Sequence, residues 1–140
     1  MNNYLLTAAS LSFLASLLHF ACIVVGAPLF RLLGAGDQVL RMLERGNSHP
    51  KWIAFIVACA LIVCSTYALS AAGAIMQLPL QRIVLVLVAT VLIVRALAFP
   101  WMKEMFAGNS ELFWWTSSAL CLLIGLLHAF GLAQVWDQLT

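Results

Sequence analysis

Apolar residues fall in four long blocks along this chain, and polar residues gather between the blocks. The blocks cover about residues 5–30, 52–76, 80–99 and 112–136. A helix rising about 1.5 Å per residue needs about 20 apolar residues to cross a hydrocarbon layer of about 30 Å. The pattern therefore predicts four membrane-crossing helices. The breaks between blocks have physical causes. Arg31 follows the first block, and Pro50 and Lys51 open the second. Proline suits the first turn of a helix, where its missing N–H is not needed. Gln77-Leu78-Pro79 leaves a very short link between the second and third blocks, which predicts an antiparallel hairpin. Pro100 ends or kinks the third, and Gly108-Asn109-Ser110 leads into the fourth, with Asn109 or Ser110 as N-cap.

One polar stretch has helical order of its own. After Gly34-Ala35-Gly36, Asp37 is expected to cap a short helix over 37–46. Val39, Leu40, Met42 and Leu43 would form its apolar side and Arg41, Glu44 and Arg45 its polar side, as in a helix lying on a membrane surface or in a packed connector. The fold class expected is all-α. Residues 1–140 should form one transmembrane domain, an integral membrane four-helix antiparallel bundle with short loops. Short connections make sequential helices neighbours.

Composition strengthens this reading. Of 140 residues, 64% are hydrophobic and 9% charged, against roughly 45–50% and about 25% in soluble domains. Too few charges remain to cover a soluble fold, so the apolar excess must face lipid. The net charge of +2, with no basic run, gives no sign of a nucleic-acid partner. Cys22, Cys59, Cys64 and Cys121 all lie in apolar stretches and form no Cys-x-x-Cys pair, which argues against a secreted disulfide framework and a thiol redox motif. The start, Met-Asn-Asn-Tyr, has no basic residue, and its apolar run is too long for a signal peptide of roughly 7–15 apolar residues. It reads as a retained first helix.

Charge also predicts orientation. Arg31, Arg41, Arg45 and Lys51 lie between the first two helices, and Lys103, with Arg95 nearby, between the last two. The middle link has only Arg82. Basic loops stay inside, so loops 31–51 and 100–111 are expected in the cytoplasm and both termini in the periplasm. Trp52, Phe99, Trp101, Phe106, Phe113, Trp114 and Trp115 would form the cytoplasmic aromatic belt, with Tyr4 and Trp136 on the other side.

Few polar groups fall inside the blocks, and these are the candidates for chemistry. Asp37, Glu44, Glu104, Glu111 and Asp137 all lie near helix ends or in loops, which weakens a proton-coupled transporter reading. His19 and His128 each follow two leucines, in the first and last block, near mid-depth. His19 shares a stripe with Ser12, Ser16, Gly26 and adjoining Cys22, and His128 with Ser118, Cys121, Gly125 and adjoining Gly131. Such stripes turn toward other helices, so the first and last helices should line the interior and the third should be the most lipid-facing. Three readings of the histidines stand open. They are hydrogen-bonded packing groups, or the two axial ligands of one haem b, or part of a polar pocket for a quinone, lipid or small substrate. A metal shared by His19 and Cys22 is a weaker variant, because Cys121 and His128 are too far apart to join one ion. Arg95 is a snorkelling cation or a fixed charge for a lipid phosphate or anionic substrate. Thr66, Ser70, Gly73 and Gln77, with Tyr67 adjoining, form a further polar stripe that reads as a helix contact or a site. The candidate ligand-binding residues are therefore His19, His128, Arg95, Ser16, Tyr67 and Ser70. No hydrolase, zincin or P-loop motif occurs.

His19 to Pro50, with Gly26-Ala27-Pro28, Arg31, Gly34-Ala35-Gly36-Asp37 and Glu44-Arg45-Gly46, resembles a group of uncharacterised small bacterial inner-membrane proteins. Tyr67-Ala68-Leu69-Ser70-Ala71-Ala72-Gly73, Leu78-Pro79 and Arg95 carry the same resemblance over most of the chain. It implies a bacterial cytoplasmic membrane and supplies no mechanism. The function expected is that of a non-enzymatic membrane subunit or a binder of a lipid or hydrophobic ligand, in a homo-oligomer or larger complex. The alternatives are a redox module holding haem b or quinone between His19 and His128, and an oligomeric small-molecule transporter.

Overall fold

The computed structural model describes residues 1–105 and 108–139. Among these the regular elements are all helical: α1 (Asn3–Val25), α2 (Ala27–Leu32), α3 (Asp37–Glu44), α4 (His49–Ala71), α5 (Gln81–Leu97), α6 (Phe99–Met105) and α7 (Glu111–Val135), then a 3-10 turn at Trp136–Gln138. Three are long and apolar enough to cross a membrane: α1, α4, and α7 with its 3-10 extension. A fourth is reached only if α5 and α6, bent by 66° to one another, count as one span. Alone, α5 has 17 residues, about 25 Å of helix.

The helices end where the backbone forces them to, and three ends differ from the apolar pattern. The first block breaks at Gly26, whose φ of +78° suits glycine, and Pro28 then sits in the first turn of α2. The second stops at Ala71, not near Met76. Gly73 takes φ +77°, its N–H bonds to the Ser70 carbonyl and the Ala74 N–H to that of Leu69, closing the helix with a left-handed cap. The link to α5 therefore runs over 72–80 instead of three residues. The third stops at Leu97, and Pro100 falls in the first turn of α6, so the chain bends there. At α3 the N-cap is Gly36, with Asp37 already in the first turn. Ser110 caps α7, its Oγ accepting from the Phe113 N–H at 3.1 Å. Phe106 of the expected aromatic belt lies outside the described residues.

α1 packs chiefly on α4, α5 on α7, and α1 on α7 joins the two pairs. The consecutive helices α4 and α5 touch far less, because the longer link frees them from a tight hairpin. α1 and α4 run antiparallel: Ser16 Oγ donates to the Ala58 carbonyl (2.8 Å) and Ser65 Oγ to the Ala9 carbonyl (2.9 Å), so residue numbers fall on α4 as they rise on α1.

The buried side chains are mostly small: Ala8, Ala9, Ser12 and Ser16 on α1, Ala54, Ala58, Ser65 and Ala68 on α4. Large apolar side chains such as Phe13, Leu17, Ile56, Leu87, Val91 and Leu123 point outward. This inversion of a soluble protein's distribution fits a membrane protein, in which small residues let backbones approach and lipid covers the rest. Glycine makes the closest approaches. A Cβ on Gly125 would lie 2.9 Å from Ile93 of α5, and one on Gly131 2.6 Å from Leu5 of α1. At the end opposite the termini two loops are joined. The Gly36 N–H donates to Asn109 Oδ1 (2.7 Å) and the Ser110 N–H to the Gly34 carbonyl (3.1 Å).

Candidate functional site

The candidate residues do not form one site. They occupy different levels of the bundle. Arg95, near the end of α5, reaches α7, where its guanidinium meets Ser118 Oγ and Ser117 Oγ, each at 3.3 Å. It also lies over the Trp114 ring, 5.4 Å from the centroid. No carboxylate pairs with it: the ion pairs among the described residues are Arg31–Glu44 and Lys103–Glu111. Trp114 is 2% exposed, and its indole Nε1 has no hydrogen-bond partner among the described residues. Ser117 passes its proton to the Trp114 carbonyl at 3.3 Å. The cluster is thus rich in donors. It holds a guanidinium and an indole N–H, neither of which can accept, and no side chain that supplies a negative charge.

His128 occupies the middle. It is fully buried, with Nδ1 donating to the Ile124 carbonyl one turn earlier at 2.8 Å. Its other polar neighbour is the backbone of Cys64 on α4, but Nε2 makes no hydrogen bond of normal geometry. Ser12 Oγ, also fully buried, lacks a partner as well. The Ser65–Ala9 bond places Cys64 level with about residue 10 of α1, so Ser12 and His128 share nearly one depth.

His19 is elsewhere. It is half-buried, its Nδ1 donates to the Ala15 carbonyl at 2.7 Å, and its neighbour Phe20 meets Phe55 edge-on. The Ser16–Ala58 register puts His19 level with Phe55, nine residues along α4 from Cys64. The two imidazoles are therefore separated by about 14 Å along the bundle. Two imidazoles on one ion, with metal–nitrogen bonds of about 2 Å, lie within about 4 Å of each other. The structure does not bring His19 and His128 to one haem, nor to one quinone-sized pocket. Both histidines lie on small or polar stripes in the sequence, and helical spacing gives no information on relative depth between helices. Nor do three or more His, Cys, Asp or Glu side chains converge anywhere among the described residues.

Ser16 is buried and spends its proton on α4. Tyr67 is half-buried against the apolar cluster around Leu5, Ala68 and Leu85. Ser70 does more than its stripe suggested. Its hydroxyl donates to the Met76 carbonyl (2.7 Å) and accepts from the Leu78 N–H (2.9 Å) and from Gln81 Nε2 (2.6 Å), so it organises the link between α4 and α5. Of the rest of that stripe, Thr66 donates back to the Ile62 carbonyl, and Gly73 and Gln77 are exposed.

Gln81, buried beside Ser70, was not among the sequence candidates. Neither were Asn2 and Gln134, joined by a hydrogen bond of 2.8 Å from Asn2 Nδ2 to Gln134 Oε1. These residues line a pocket of about 580 Å³ between the two chain ends and the α4–α5 link. The sequence signal was the concentration of Asn and Gln at the block edges: Asn2, Asn3, Gln77, Gln81, Gln134 and Gln138. Gln77 and Gln81, and Gln134 and Gln138, are each four apart, but that spacing does not show that the two pairs and the N-terminal amides meet, which requires the helix ends to be stacked. No family model, curated protein or solved structure matches the chain.

Proposed function

We propose that this chain is a small, non-enzymatic protein of the bacterial cytoplasmic membrane that binds the anionic headgroup of a lipid at Arg95. In this reading α1, α4, α5 with its bent extension, and α7 are four antiparallel spans. Both termini face the periplasm, and loops 31–51 and 100–111 face the cytoplasm. The resemblance to small inner-membrane proteins and the basic residues of those loops support that placement. The observation that carries the binding reading is the donor-rich cluster of Arg95, Ser117, Ser118 and Trp114, which has no anionic partner. A cation in an apolar setting is stabilised by an opposite charge, and phosphate oxygens accept from the guanidinium fork in bidentate fashion. Its depth suits the role. α7 has 25 residues, about 38 Å against a core of about 30 Å, and Trp114 lies one turn from its start, at the level where indoles settle in a bilayer interface.

The test is lipid retention by protein purified in mild detergent and read by native mass spectrometry. Phosphatidylglycerol should be retained at least about tenfold more than phosphatidylcholine, a difference of about 1.4 kcal/mol. Arg95→Ala should remove the preference, and Arg95→Lys, which keeps the charge but not the fork, should restore only part of it. Equal retention of both lipids by the wild type, or a preference that survives Arg95→Ala, would overturn the reading.

A further inference from the structure

The pocket at the termini-bearing end differs in chemistry from the Arg95 cluster. Its wall includes Asn2, Asn3, Gln77, Gln81, Gln134 and Gln138, and among the described residues no Asp, Glu, Lys or Arg side chain lines it. Gln81 is fully buried in that wall, and its Oε1 has no partner. The hydrogen bonds around Ser70 fix which way the amide faces. Ser70 has a single hydroxyl proton, and the Met76 carbonyl takes it. The bond to Gln81 must then come from the amide N–H, which leaves the amide oxygen without a donor. Leaving a buried acceptor unmade costs about 1–3 kcal/mol. The backbone beside it is held unusually too: Leu80 is the only non-glycine among the described residues with positive φ, at 59°, a conformation costing about 1–2 kcal/mol. The two unfavourable features are adjacent in the chain, and of the two residues it is Gln81 that lines the pocket. Around them Asn3, Gln77 and Gln138 make no side-chain hydrogen bond within the described protein. Each offers a donor and an acceptor and no charge.

We propose that this pocket binds a small neutral molecule carrying several hydroxyl groups, such as a saccharide or polyol. A hydroxyl supplies the donor that Gln81 Oε1 lacks and can accept from a neighbouring amide N–H in turn. A charged ligand would meet no charged side chain among the described lining residues, only the exposed α-amino group of Met1 at the rim, and an apolar one would leave the amides unpaired. The volume of about 580 Å³ lies within the range of small-molecule sites, about 300–1,000 Å³.

The probes are glucose, maltose and glycerol, titrated against the untagged protein in detergent micelles. Isothermal calorimetry reads the binding, with sodium glucuronate as the charged control. Saturable binding of at least one neutral probe is expected, with glucuronate at least tenfold weaker. Gln81→Leu should weaken it by tenfold or more. Because Gln81→Leu also removes the bond to Ser70, Gln138→Leu at the rim serves as the second variant and should weaken binding severalfold with the fold intact by circular dichroism. Absence of saturable binding by all three neutral probes overturns the proposal, as does binding unchanged in both variants. The Arg95 reading is untouched by either outcome, since its residues lie at the other end of α5 and its readout is lipid retention.

Discussion

Replacing Gly131 by alanine tests whether the α1–α7 contact is as close as the structure places it. The added Cβ would lie 2.6 Å from Leu5 Cγ, 2.9 Å from its Cδ2 and 3.1 Å from its backbone N. Leu5 is 0% exposed, so the side chain has no free space into which to turn, and the backbone atom cannot retreat without moving α1. Overpacking of this kind costs about 1–3 kcal/mol. Alanine gains up to about 1 kcal/mol over glycine in helix propensity, which leaves a net loss of about 0–2 kcal/mol. Truncating Leu5 removes Cγ and Cδ2, the two nearest clashing atoms. Leu5→Ala destabilises by itself, but in that background the new methyl has somewhere to go. The double-mutant cycle should therefore show a favourable coupling of about 1–3 kcal/mol between the two changes. The assay is reversible unfolding in mixed micelles of increasing sodium dodecyl sulfate, followed by tryptophan fluorescence. If the effect of Gly131→Ala is the same in both backgrounds within about 0.5 kcal/mol, α1 and α7 do not meet there and the register fails with them.

The remaining predictions concern the other seams and the orientation. Ser16→Ala and Ser65→Ala each remove a hydroxyl bonded to a carbonyl of the facing helix. Each should cost about 0.6 kcal/mol and at most about 1.7 in the same unfolding assay; a null effect of both would deny the α1–α4 register. Gly36→Ala would set a Cβ 2.3 Å from the Gly108 carbonyl group, which is backbone and cannot turn aside. Amide exchange at Gly36 and Ser110 should speed up by tenfold or more, and unchanged protection there would show that the loops are not joined. A reporter active only in the periplasm should work when fused after Thr140 and fail when fused at Gly46; the reverse pattern would invert the proposed topology.

Much of the helix content was legible because lipid-length apolar runs and their proline and glycine breaks are local features. The helix ends were less so. Gly73 closes α4 before the apolar run is over, and a cap depends on φ at one residue, which hydropathy does not register. Among the candidate residues, the sequence picked out Arg95 as an isolated charge in apolar surroundings and Ser70 as part of a polar stripe. It could not supply the partners, because Ser117, Ser118 and Trp114 lie on a different helix from Arg95.

Alone, then, the sequence determined that the chain forms long apolar helices, where its basic loops fall, and which polar side chains are held away from the block edges. Only the tertiary structure decided which of those polar groups share a level. It separated His19 from His128 by about 14 Å, placed His128 near the depth of Ser12, and gathered the amides of both helix-end regions around Gln81. The physical reason is the same in each case. Helical periodicity fixes the face on which a residue lies, whereas its depth against another helix is set by the close approach of small residues such as Gly125 and Gly131, which exists only once the helices have packed.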